Sequence, residues 1–476
     1  MVPMNIGSRR EVFWDDALLE HSRTTAELKV HQPRIEEVVL ECGEPWEGDG
    51  CNSFSIFKDG DIYRAYYTGW EMMNEDCTAH LVDERISYCY AESKDGIHWT
   101  KPNLNICEYN GSKENNIYID GTICNFGDMV HVFIDENPAC PPEEKYKAIG
   151  RSKKWELVCC TSADGIHFKF GWVMTNIGKF DTHNIAFWSP EFNCYFAYIR
   201  DFHGYKNNKH WQGVRDIRVM TSTDFKNWSM PEQIDFGGGA DYPLYTNEVQ
   251  RYPRAPHMFI GFPLRYAERK EWSDNISQMP NAARREKIYK VSPRYGLAVT
   301  DSVFMSSRDG KKFYRYDEAF IDPGVECRLN WYYGDCSVAA LVETKSTLKG
   351  APDEYSLYCY ENHWSGEPAE LRRYTIRKDG FASISAPYGE RKVFTRPFIF
   401  EGNQMELNFR TSARGYVFIK LHSLDGTIAS CELFGNALDR KVAFDGDLSV
   451  FSGEEVTMEI TMSDADIYSF RFYNEK

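Results

Sequence analysis

Short apolar runs that alternate with polar residues recur along most of this chain. Five of them stand directly before a similar polar phrase, at residues 86–90, 157–160, 217–220, 303–305 and 374–376. Alternation with period two is typical of half-buried β-strands, because successive side chains point to opposite faces of the sheet. The pattern therefore predicts an all-β protein.

The polar phrase itself reads Ser-x-Asp-Gly-x-x-aromatic. Its copies lie at residues 93–99, 162–168, 222–228 and 307–313, with a degenerate fifth copy at 377–381. In the third copy Phe225 replaces the glycine. Asp-Gly suits a tight turn, because glycine adopts positive φ without steric cost, and Ser and Asp side chains can bond the turn backbone. Each copy therefore predicts a β-hairpin.

The spacing of the copies indicates the architecture. They follow one another at intervals of roughly 60–85 residues, the length expected for a large blade of several strands. Five copies predict a five-bladed β-propeller over residues 1–393, with a leading segment at 1–45. Within that segment, residues 9–20 are the candidate to close the ring or to cap one face. The alternative is a sandwich with five unrelated hairpins. A polar stretch at 268–290 predicts a helical or irregular insertion in the fourth blade, which either shapes a binding site or lies in solvent.

From about residue 394 the pattern changes. Alternating runs continue at 405–410, 416–421, 456–460 and 468–472, but the Asp-Gly-aromatic phrase no longer occurs. This predicts a C-terminal β-sandwich over residues 394–476. Such a unit serves either as a structural support or as a carbohydrate-binding module.

Composition narrows the choice of partner. The formal net charge of −16 argues against nucleic acid or an anionic membrane surface as a partner. No apolar run is long enough for a spanning helix, and the first residues contain no apolar signal core. The 14 cysteines are scattered without a Cys-x-x-Cys pair, which argues against zinc and predicts reduced thiols in the cytoplasm. We expect no cofactor and no metal; the sequence indicates no oligomeric state.

Candidate chemistry appears just before the predicted innermost strand of every blade. An aspartate stands there in each case: Asp49, Asp128, Asp181, Asp241 and Asp335. The innermost strands of a propeller surround a central funnel, so we expect these acids to converge. Crowded carboxylates have pKa values that move apart, as glycoside hydrolysis requires of its acid and its nucleophile or base. Ordinary turn chemistry would also account for each Asp beside a Gly.

Glu248 is the candidate general acid, because it lies in a polar stretch between two apolar runs of blade four; the alternative is a surface ion pair with Arg251 or Arg254. Asp181 and Asp49 are the candidates for base, nucleophile or pKa modulator. The remaining candidates for substrate binding are Asp128, Asp241, Asp335, Arg200, Asp201, Trp188, Tyr245, Arg254 and Trp331. Arg200 and Asp201 would otherwise form a surface pair, and the aromatic residues would otherwise close the blades.

Several phrases resemble a known group of enzymes. They lie at residues 13–16, 89–102, 255–263 and 307–324. The chain resembles the five-bladed propeller glycoside hydrolases, the invertase-like and arabinanase-like enzymes, and most closely bacterial proteins with a glycoside hydrolase family 32-like N-terminal domain. The resemblance implies a propeller followed by a sandwich, and a glycosidase.

The chain also departs from that group. Invertase-like enzymes carry Trp-Met-Asn-Asp-Pro-Asn-Gly, then Arg-Asp-Pro, then Glu-Cys. Only Trp14-Asp15-Asp16, Arg200-Asp201-Phe202 and Glu326-Cys327 echo that order here, and Glu326 follows the fourth repeat instead of opening the third blade. Fructosidase activity therefore does not follow from the resemblance.

Three classes of function remain from the sequence. The first is a glycoside hydrolase that cleaves a small oligosaccharide or glycoside with a pair of funnel carboxylates. A phosphorylase or transglycosidase is a variant of it, and a phosphorylase would need a basic phosphate pocket, for which Arg251, Arg254 and Arg265 are candidates. The second class is a non-catalytic sugar-binding propeller. The third is a protein-interaction propeller.

Overall fold

The computed structural model describes residues 2–74, 76–79, 81, 86–206, 209, 212–325 and 333–475, without the side chains of Cys124 and Asp128. Backbone contacts divide the chain into two compact units. The propeller unit comprises Pro33–Arg251 and Phe259–Ile376, and the sheet unit comprises Met1–Gln32, Tyr252–Met258 and Arg377–Lys476. This division differs from the predicted boundary after residue 393, because the leading segment 1–45 is split and residues 377–393 group with the C-terminal strands.

The first strands of the chain are shared between the units. Those of the sheet unit are β1 (Met4–Gly7), β2 (Glu11–Val12) and β3 (Glu27–Val30). The next strand, β4 (Arg34–Cys42), belongs to the propeller unit.

Blades I and II follow in chain order, each with its strands hydrogen-bonded from the innermost outwards. Blade I consists of β5 (Asn52–Asp59), β6 (Ile62–Trp70), β7 (Ile86–Ser93) and β8 (Trp99–Thr100), with β9 (Ile117–Ile119) also paired to β7. After α1 (Gly121–Cys124), blade II consists of β10 (Phe126–Ile134), β11 (Tyr146–Ser152), β12 (Leu157–Ser162) and β13 (Lys169–Thr175).

Blades III and IV repeat this arrangement. Blade III consists of β14 (Ile185–Ser189), β15 (Cys194–His203), β16 (Val214–Ser222) and β17 (Glu232–Gln233). Blade IV consists of β18 (Gln250–Arg251), β19 (Phe259–Gly261), β22 (Met305–Ser307) and β23 (Phe313–Arg315). Its insertion contains the pair β20 (Leu264–Glu268) and β21 (Ala298–Ser302), with α2 (Ala282–Val291) and α3 (Pro293–Leu297) between them. The predicted helical excursion at 268–290 is therefore confirmed.

Blade V is completed by a strand from the start of the unit. It consists of β24 (Ser337–Thr344), β25 (Glu354–Glu361) and β26 (Ala369–Ile376), and β4 is its fourth strand, antiparallel to β26. Within the described residues the unit thus contains five sheets of the propeller type, and the predicted five-bladed all-β architecture is confirmed. The segment that closes the ring is 34–42, and residues 9–20, the candidate for that role, lie in the sheet unit.

The sheet unit is a ten-stranded sheet around one apolar core. Its later strands are β27 (Ala382–Ala386), β28 (Arg391–Phe394), β29 (Phe398–Phe400), β30 (Gln404–Ser423), β31 (Gly426–Ala429), β32 (Asn436–Lys441) and β33 (Glu455–Tyr473). The four runs predicted as separate strands are halves of two long ones, β30 and β33. These two strands pair along most of their length, and their register shifts between Thr411 and Tyr416.

The repeated phrase forms the turn between the third and fourth strands of blades I to IV. In blade I the Ser93 hydroxyl accepts the Gly96 amide at 2.9 Å, and Asp95 accepts the amides of Ile97 and His98, each at 2.8 Å. The same bonds recur around Ser162 and Ser307. In blade III Asp224 accepts the amides of Lys226 and Asn227 in the same way, and the Ser222 hydroxyl accepts the Asp224 amide at 3.2 Å. The predicted hairpins are confirmed for these four copies.

The fifth copy is an exception. Arg377-Lys378-Asp379-Gly380 lies in the sheet unit, where the buried Asp379 carboxylate faces Arg10 and Arg254. Blade V needs no such hairpin, because its fourth strand is supplied by β4. The prediction that this copy marks a blade hairpin is therefore wrong, although the blade itself exists.

The turn glycines also join neighbouring blades. In three places a tyrosine hydroxyl on the second strand of one blade donates to the carbonyl oxygen of a turn glycine in the next blade. The pairs are Tyr66 to Gly165 at 2.9 Å, Tyr198 to Gly310 at 2.8 Å and Tyr358 to Gly96 at 2.6 Å. These three pairs connect blade I to II, III to IV, and V to I. Because each glycine has positive φ and a Cβ would lie within 3.0 Å of neighbouring side-chain atoms, both the turn and the packing exclude larger residues.

Blade III has a different solution. Its turn carries Phe225 at the glycine position with φ 62°. On the preceding blade Ile149 occupies the position of the donor tyrosine, since it pairs with Cys159 as Tyr66 pairs with Tyr90. Ile149 and Phe225 are buried in the same apolar cluster. An apolar pair thus replaces the tyrosine–glycine hydrogen bond at this interface.

Replacing a turn glycine by alanine tests this joint. Gly165→Ala should lower the free energy of unfolding by about 2–4 kcal/mol, because positive φ costs a non-glycine residue about 1–2 kcal/mol and the new Cβ would meet the Tyr66 hydroxyl. Gly60→Ala is the matched control, since Gly60 has φ +60° with open space around it. Urea unfolding of both variants measures the difference. Equal losses would show that the blade contact contributes nothing.

Candidate functional site

Four blades meet near the propeller axis in a buried polar layer. The Ser55 hydroxyl of β5 lies 3.1 Å from His131 Nδ1 of β10 and 3.4 Å from His183 Nε2, just before β14. His183 Nδ1 in turn lies 2.9 Å from Glu248 Oε1, just before β18. All four residues come from the inner strands or from the turns just before them, and none of them is one of the five aspartates that were expected to converge.

Glu248 is the acidic member of this axial layer. Burial raises the pKa of its carboxyl group, and the neighbouring His183 opposes that rise. A raised pKa is what a general acid needs. However, only 6% of the Glu248 side chain is exposed, so it lies beneath the surface that a substrate would touch.

Asp49 lies at the start of blade I beside the insertion of blade IV. Its Oδ2 accepts a hydrogen bond from Arg284 of α2 at 2.8 Å, and its main-chain carbonyl accepts the Trp364 amide at the same distance. Burial raises the pKa of Asp49, and Arg284 opposes this shift. The insertion therefore contributes directly to the surroundings of a predicted catalytic acid.

Asp181 is the most exposed of the three predicted catalytic acids. It forms an ion pair with Arg200 of β15, and 37% of its side chain is exposed compared with 5% of the arginine. The Arg200 Nε donates to the Lys179 carbonyl at 3.1 Å, which fixes the guanidinium in place. The structure thus pairs two residues that the sequence predicted separately as catalytic and substrate-binding.

Aromatic side chains connect these two acids. Trp364, whose amide donates to the Asp49 carbonyl, has its ring centroid 5.2 Å from that of Tyr333. The Tyr333 ring centroid in turn lies 5.1 Å from that of Tyr245. The Arg200 guanidinium lies over the Tyr245 ring at 5.8 Å. All three aromatic residues belong to one cluster that also contains Met129 of blade II. We call this arrangement of Trp364, Tyr333, Tyr245 and the two acid–arginine pairs the mouth.

Two predicted binding acids occupy other surroundings. Asp335 is fully buried and accepts the His363 amide at 3.0 Å, which is the turn role that the sequence left open. Asp241 is largely exposed and lies 3.0 Å from His203 Nε2 in a separate cavity of about 370 Å³ that Arg315 and Tyr242 also line.

The other candidates divide as follows. Asp201 pairs with Arg218 at 3.5 Å, and Trp188 is buried in the core shared by blades II and III, so both have structural roles. Arg254 lies in the sheet unit, where it pairs with Asp379 and Asp439. Asp128 lies in β10 with its side chain outside the description, and Trp331 lies outside the described residues, as do Glu326 and Cys327.

The arginines considered for a phosphate pocket are already paired with carboxylates. Arg251 pairs with Glu136, Arg265 pairs with Asp301 at 2.6 Å, and Arg254 pairs within the sheet unit. They do not form the basic pocket that a phosphorylase would need. In the described part of the chain, no group of three or more His, Cys, Asp or Glu side chains is arranged to hold a metal ion.

The cysteines differ in oxidation state. Eleven of the cysteines in the described residues are free thiols, whereas Cys160 is disulfide-bonded. The expectation of reduced thiols therefore does not hold for Cys160.

Among the residues described, no helix has the length and apolar character needed to cross a membrane.

Sequence reasoning missed several residues of the site. Ser55 and His131 lie mid-strand, and their inward direction follows from the alternation of β5 and β10. Arg284 comes from the insertion, about 235 residues from Asp49 along the chain, and no local pattern indicates that pair. Tyr333 and Trp364 belong to the mouth only because blade V adjoins blade I.

Comparison with known proteins gives likeness of fold. No protein-family model and no curated protein matches the sequence. A solved structure described as "Glycoside hydrolase" is 12% identical with a TM-score of 0.45, over 73% of this chain and 92% of that one. Sucrose-6-phosphate hydrolase from Lactobacillus gasseri is 11% identical with a TM-score of 0.39, over 92% and 93%.

A third similar structure is an exo-β-1,3-galactanase from Phanerochaete chrysosporium, 8% identical with a TM-score of 0.38, over 93% of this chain and 100% of that one. Glycoside hydrolases are thus among the structures this chain resembles, as the sequence resemblance implied. Each identity is low and each TM-score is below 0.5, so the chemistry of the mouth is argued from this chain's own residues.

The Asp49–Arg284 pair leads to a pH-dependent prediction. Arg284→Gln should raise the pKa of Asp49 further and destabilise the fold, by about 1–3 kcal/mol near pH 7.5. Because a raised folded pKa makes stability fall as pH rises above the unfolded value of about 3.9, the loss should be much smaller near pH 4. Urea unfolding at both pH values measures it.

Two controls accompany this measurement. Arg269→Gln removes an exposed arginine of the same insertion and should leave stability unchanged at both pH values. Asp49→Asn combined with Arg284→Gln should abolish the extra pH dependence. A loss that is the same at pH 4 and pH 7.5 in Arg284→Gln would contradict the coupling.

Proposed function

We propose that the protein is a glycoside hydrolase that acts on a small oligosaccharide or glycoside at the mouth of its propeller. The observation that carries the proposal is the ion pair between Asp181, whose side chain is 37% exposed, and the fixed Arg200, next to a buried aromatic cluster that extends to Trp364 beside Asp49. Polar groups that are held in place and reach solvent orient a ligand by binding its hydroxyl groups.

The roles follow from exposure and charge. Asp181 is the base or nucleophile, because it is ion-paired and the most exposed of the three acids. The general acid must have a raised pKa, which burial provides for both Asp49 and Glu248. Asp49 is the better placed of the two, with 16% of its side chain exposed, and Glu248 remains the acid predicted from the sequence.

A specific observation favours a second candidate, a non-catalytic sugar-binding propeller. Each of the three acids already has a partner in the free protein: Arg200 for Asp181, Arg284 for Asp49 and His183 for Glu248. Carboxylates held in this way can bind sugar hydroxyl groups without any proton transfer. The cytoplasmic location and the relationship to family 32 stay predictions from the sequence.

Turnover of a panel of nitrophenyl glycosides and small oligosaccharides tests the hydrolase proposal. Asp181→Asn should lower kcat/KM on the best substrate by about 10²–10⁴-fold. Asp425→Asn, at an exposed position of the sheet unit, should leave it unchanged. Sugars that raise the melting temperature without any turnover would instead support the sugar-binding protein.

The identity of the acid can be tested with leaving groups. A dinitrophenolate leaves without protonation, so loss of the acid should affect a dinitrophenyl glycoside much less than an oligosaccharide. We expect Asp49→Asn to show this contrast and Glu248→Gln to lower both rates together through the His183 contact. The reverse result would assign the acid role to Glu248.

A further inference from the structure

Two arginines of the propeller unit differ from the other arginines around the mouth. Arg200, Arg284, Arg265 and Arg251 each pair with a carboxylate. Arg215 of β16 and Arg294 of α3 have no carboxylate partner among the described residues, and the buried Nε of each lacks a hydrogen-bond acceptor there. Uncompensated cations in half-buried positions are costly, which points to an acceptor from outside the part of the chain that the structure describes.

Both guanidinium groups lie beside the same aromatic side chain. The Tyr266 ring centroid is 4.8 Å from the Arg215 guanidinium carbon and 6.0 Å from that of Arg294. Tyr266 also lies 5.3 Å from Tyr333, ring to ring. Both arginines therefore pack on the buried Tyr266 ring, which adjoins the mouth through Tyr333, and Arg215 also lines the cavity around Asp241.

The surroundings of Arg294 are aromatic as well. Its guanidinium carbon lies 4.8 Å from the Tyr295 ring and 5.9 Å from the Tyr333 ring, and its Nη2 donates to the Tyr295 hydroxyl at 3.4 Å. Burial raises the pKa of the Tyr333 hydroxyl, while Arg294 and Arg215 oppose that rise. Both positive charges therefore act on the same tyrosine of the mouth. Neutral tyrosines do not cancel two positive charges.

We propose that the substrate carries an anionic substituent, a carboxylate or a phosphate ester, which Arg215 and Arg294 bind beside Tyr266 and Tyr333. This inference rests on the proposed function, because it concerns the same mouth. It concerns which ligand binds there, whether or not that ligand is cleaved. A guanidinium group donates two parallel hydrogen bonds to either kind of anion. Burial by aromatic rings strengthens such contacts, because the local dielectric constant is low.

Titration calorimetry with the full-length protein tests the proposal without any need for turnover. Four classes of probe are compared at low salt. They are the sugar acids glucuronic and galacturonic acid, the sugar phosphates glucose 6-phosphate and fructose 6-phosphate, the corresponding neutral sugars, and inorganic phosphate alone. We expect at least one charged sugar to bind roughly tenfold or more tightly than its neutral counterpart, with affinity that falls as salt rises. A preference for the acids or for the phosphates identifies the source of the charge.

Variants connect this preference to the two arginines. Arg215→Gln and Arg294→Gln should each weaken binding of the preferred charged sugar roughly tenfold or more, while neutral sugars bind as before. Arg251→Gln removes an arginine that is already paired with Glu136 and should leave the preference intact. Urea midpoints of both test variants should equal or exceed that of the wild type, since an uncompensated charge is removed.

Several outcomes would overturn the proposal. Equal affinity for charged and neutral sugars would do so, as would an unchanged preference in both glutamine variants. Inorganic phosphate that binds as tightly as the sugar anions would show that the site takes a free anion. Charged sugars that bind through these arginines, with no turnover of any charged glycoside, would contradict the hydrolase proposal and leave the anion site standing.

Discussion

The propeller depends on the ladder between β4 and β26. Five sheets keep a common axis only if the last sheet is joined to the first, and here residues 34–42 supply the outer strand of blade V before the chain continues into blade I. Arg373 of β26 is fully buried and donates to both carboxylate oxygens of Glu37, at 2.9 and 3.1 Å. A buried charge with such a partner stabilises only the correct register, because any slip would leave the guanidinium uncompensated.

Ring closure is also what creates the mouth. Asp49 opens blade I, and its carbonyl receives the amide of Trp364, which follows the second strand of blade V. Tyr333 then connects Trp364 to Tyr245, and Tyr245 lies under Arg200 of blade III. These side chains come from different sheets, and they meet only because the closed ring brings blade V next to blade I. The hydrogen bonds that complete blade V therefore also assemble the candidate site.

The mouth and the axial layer beneath it have different characters. In the layer, Ser55, His131, His183 and Glu248 satisfy one another, and all but His131 are almost fully buried; desolvation holds the pKa of His131 well below its usual range. In the mouth, Asp49 and Asp181 pair directly with arginines beside a buried aromatic cluster, and both carboxylates remain partly exposed. The layer fixes the spacing of four blades, and the mouth has the accessible polar groups that a ligand needs.

Local sequence rules predicted the blades well, because each hairpin carries its own turn chemistry. The aspartate of the phrase accepts backbone amides in blades I to IV, and the glycines of blades I, II and IV have the positive φ that the phrase implies. Where the chain lacks the phrase, as after β26, local reasoning had nothing to indicate that β4 would take the vacant edge. The degenerate copy at 377–381 has similar letters but makes buried ion pairs in another unit.

The sequence by itself determined the strand class and the number of blades, since alternation and turn residues act over a few residues. Only the tertiary structure decided which acids face a common opening. It buried Asp335, placed Asp241 in another cavity, paired Asp49 with an arginine of the insertion and gave Arg215 and Arg294 no carboxylate partner within the described part of the chain. Burial, pairing and pKa shifts depend on groups that are distant along the chain, and no local pattern records them.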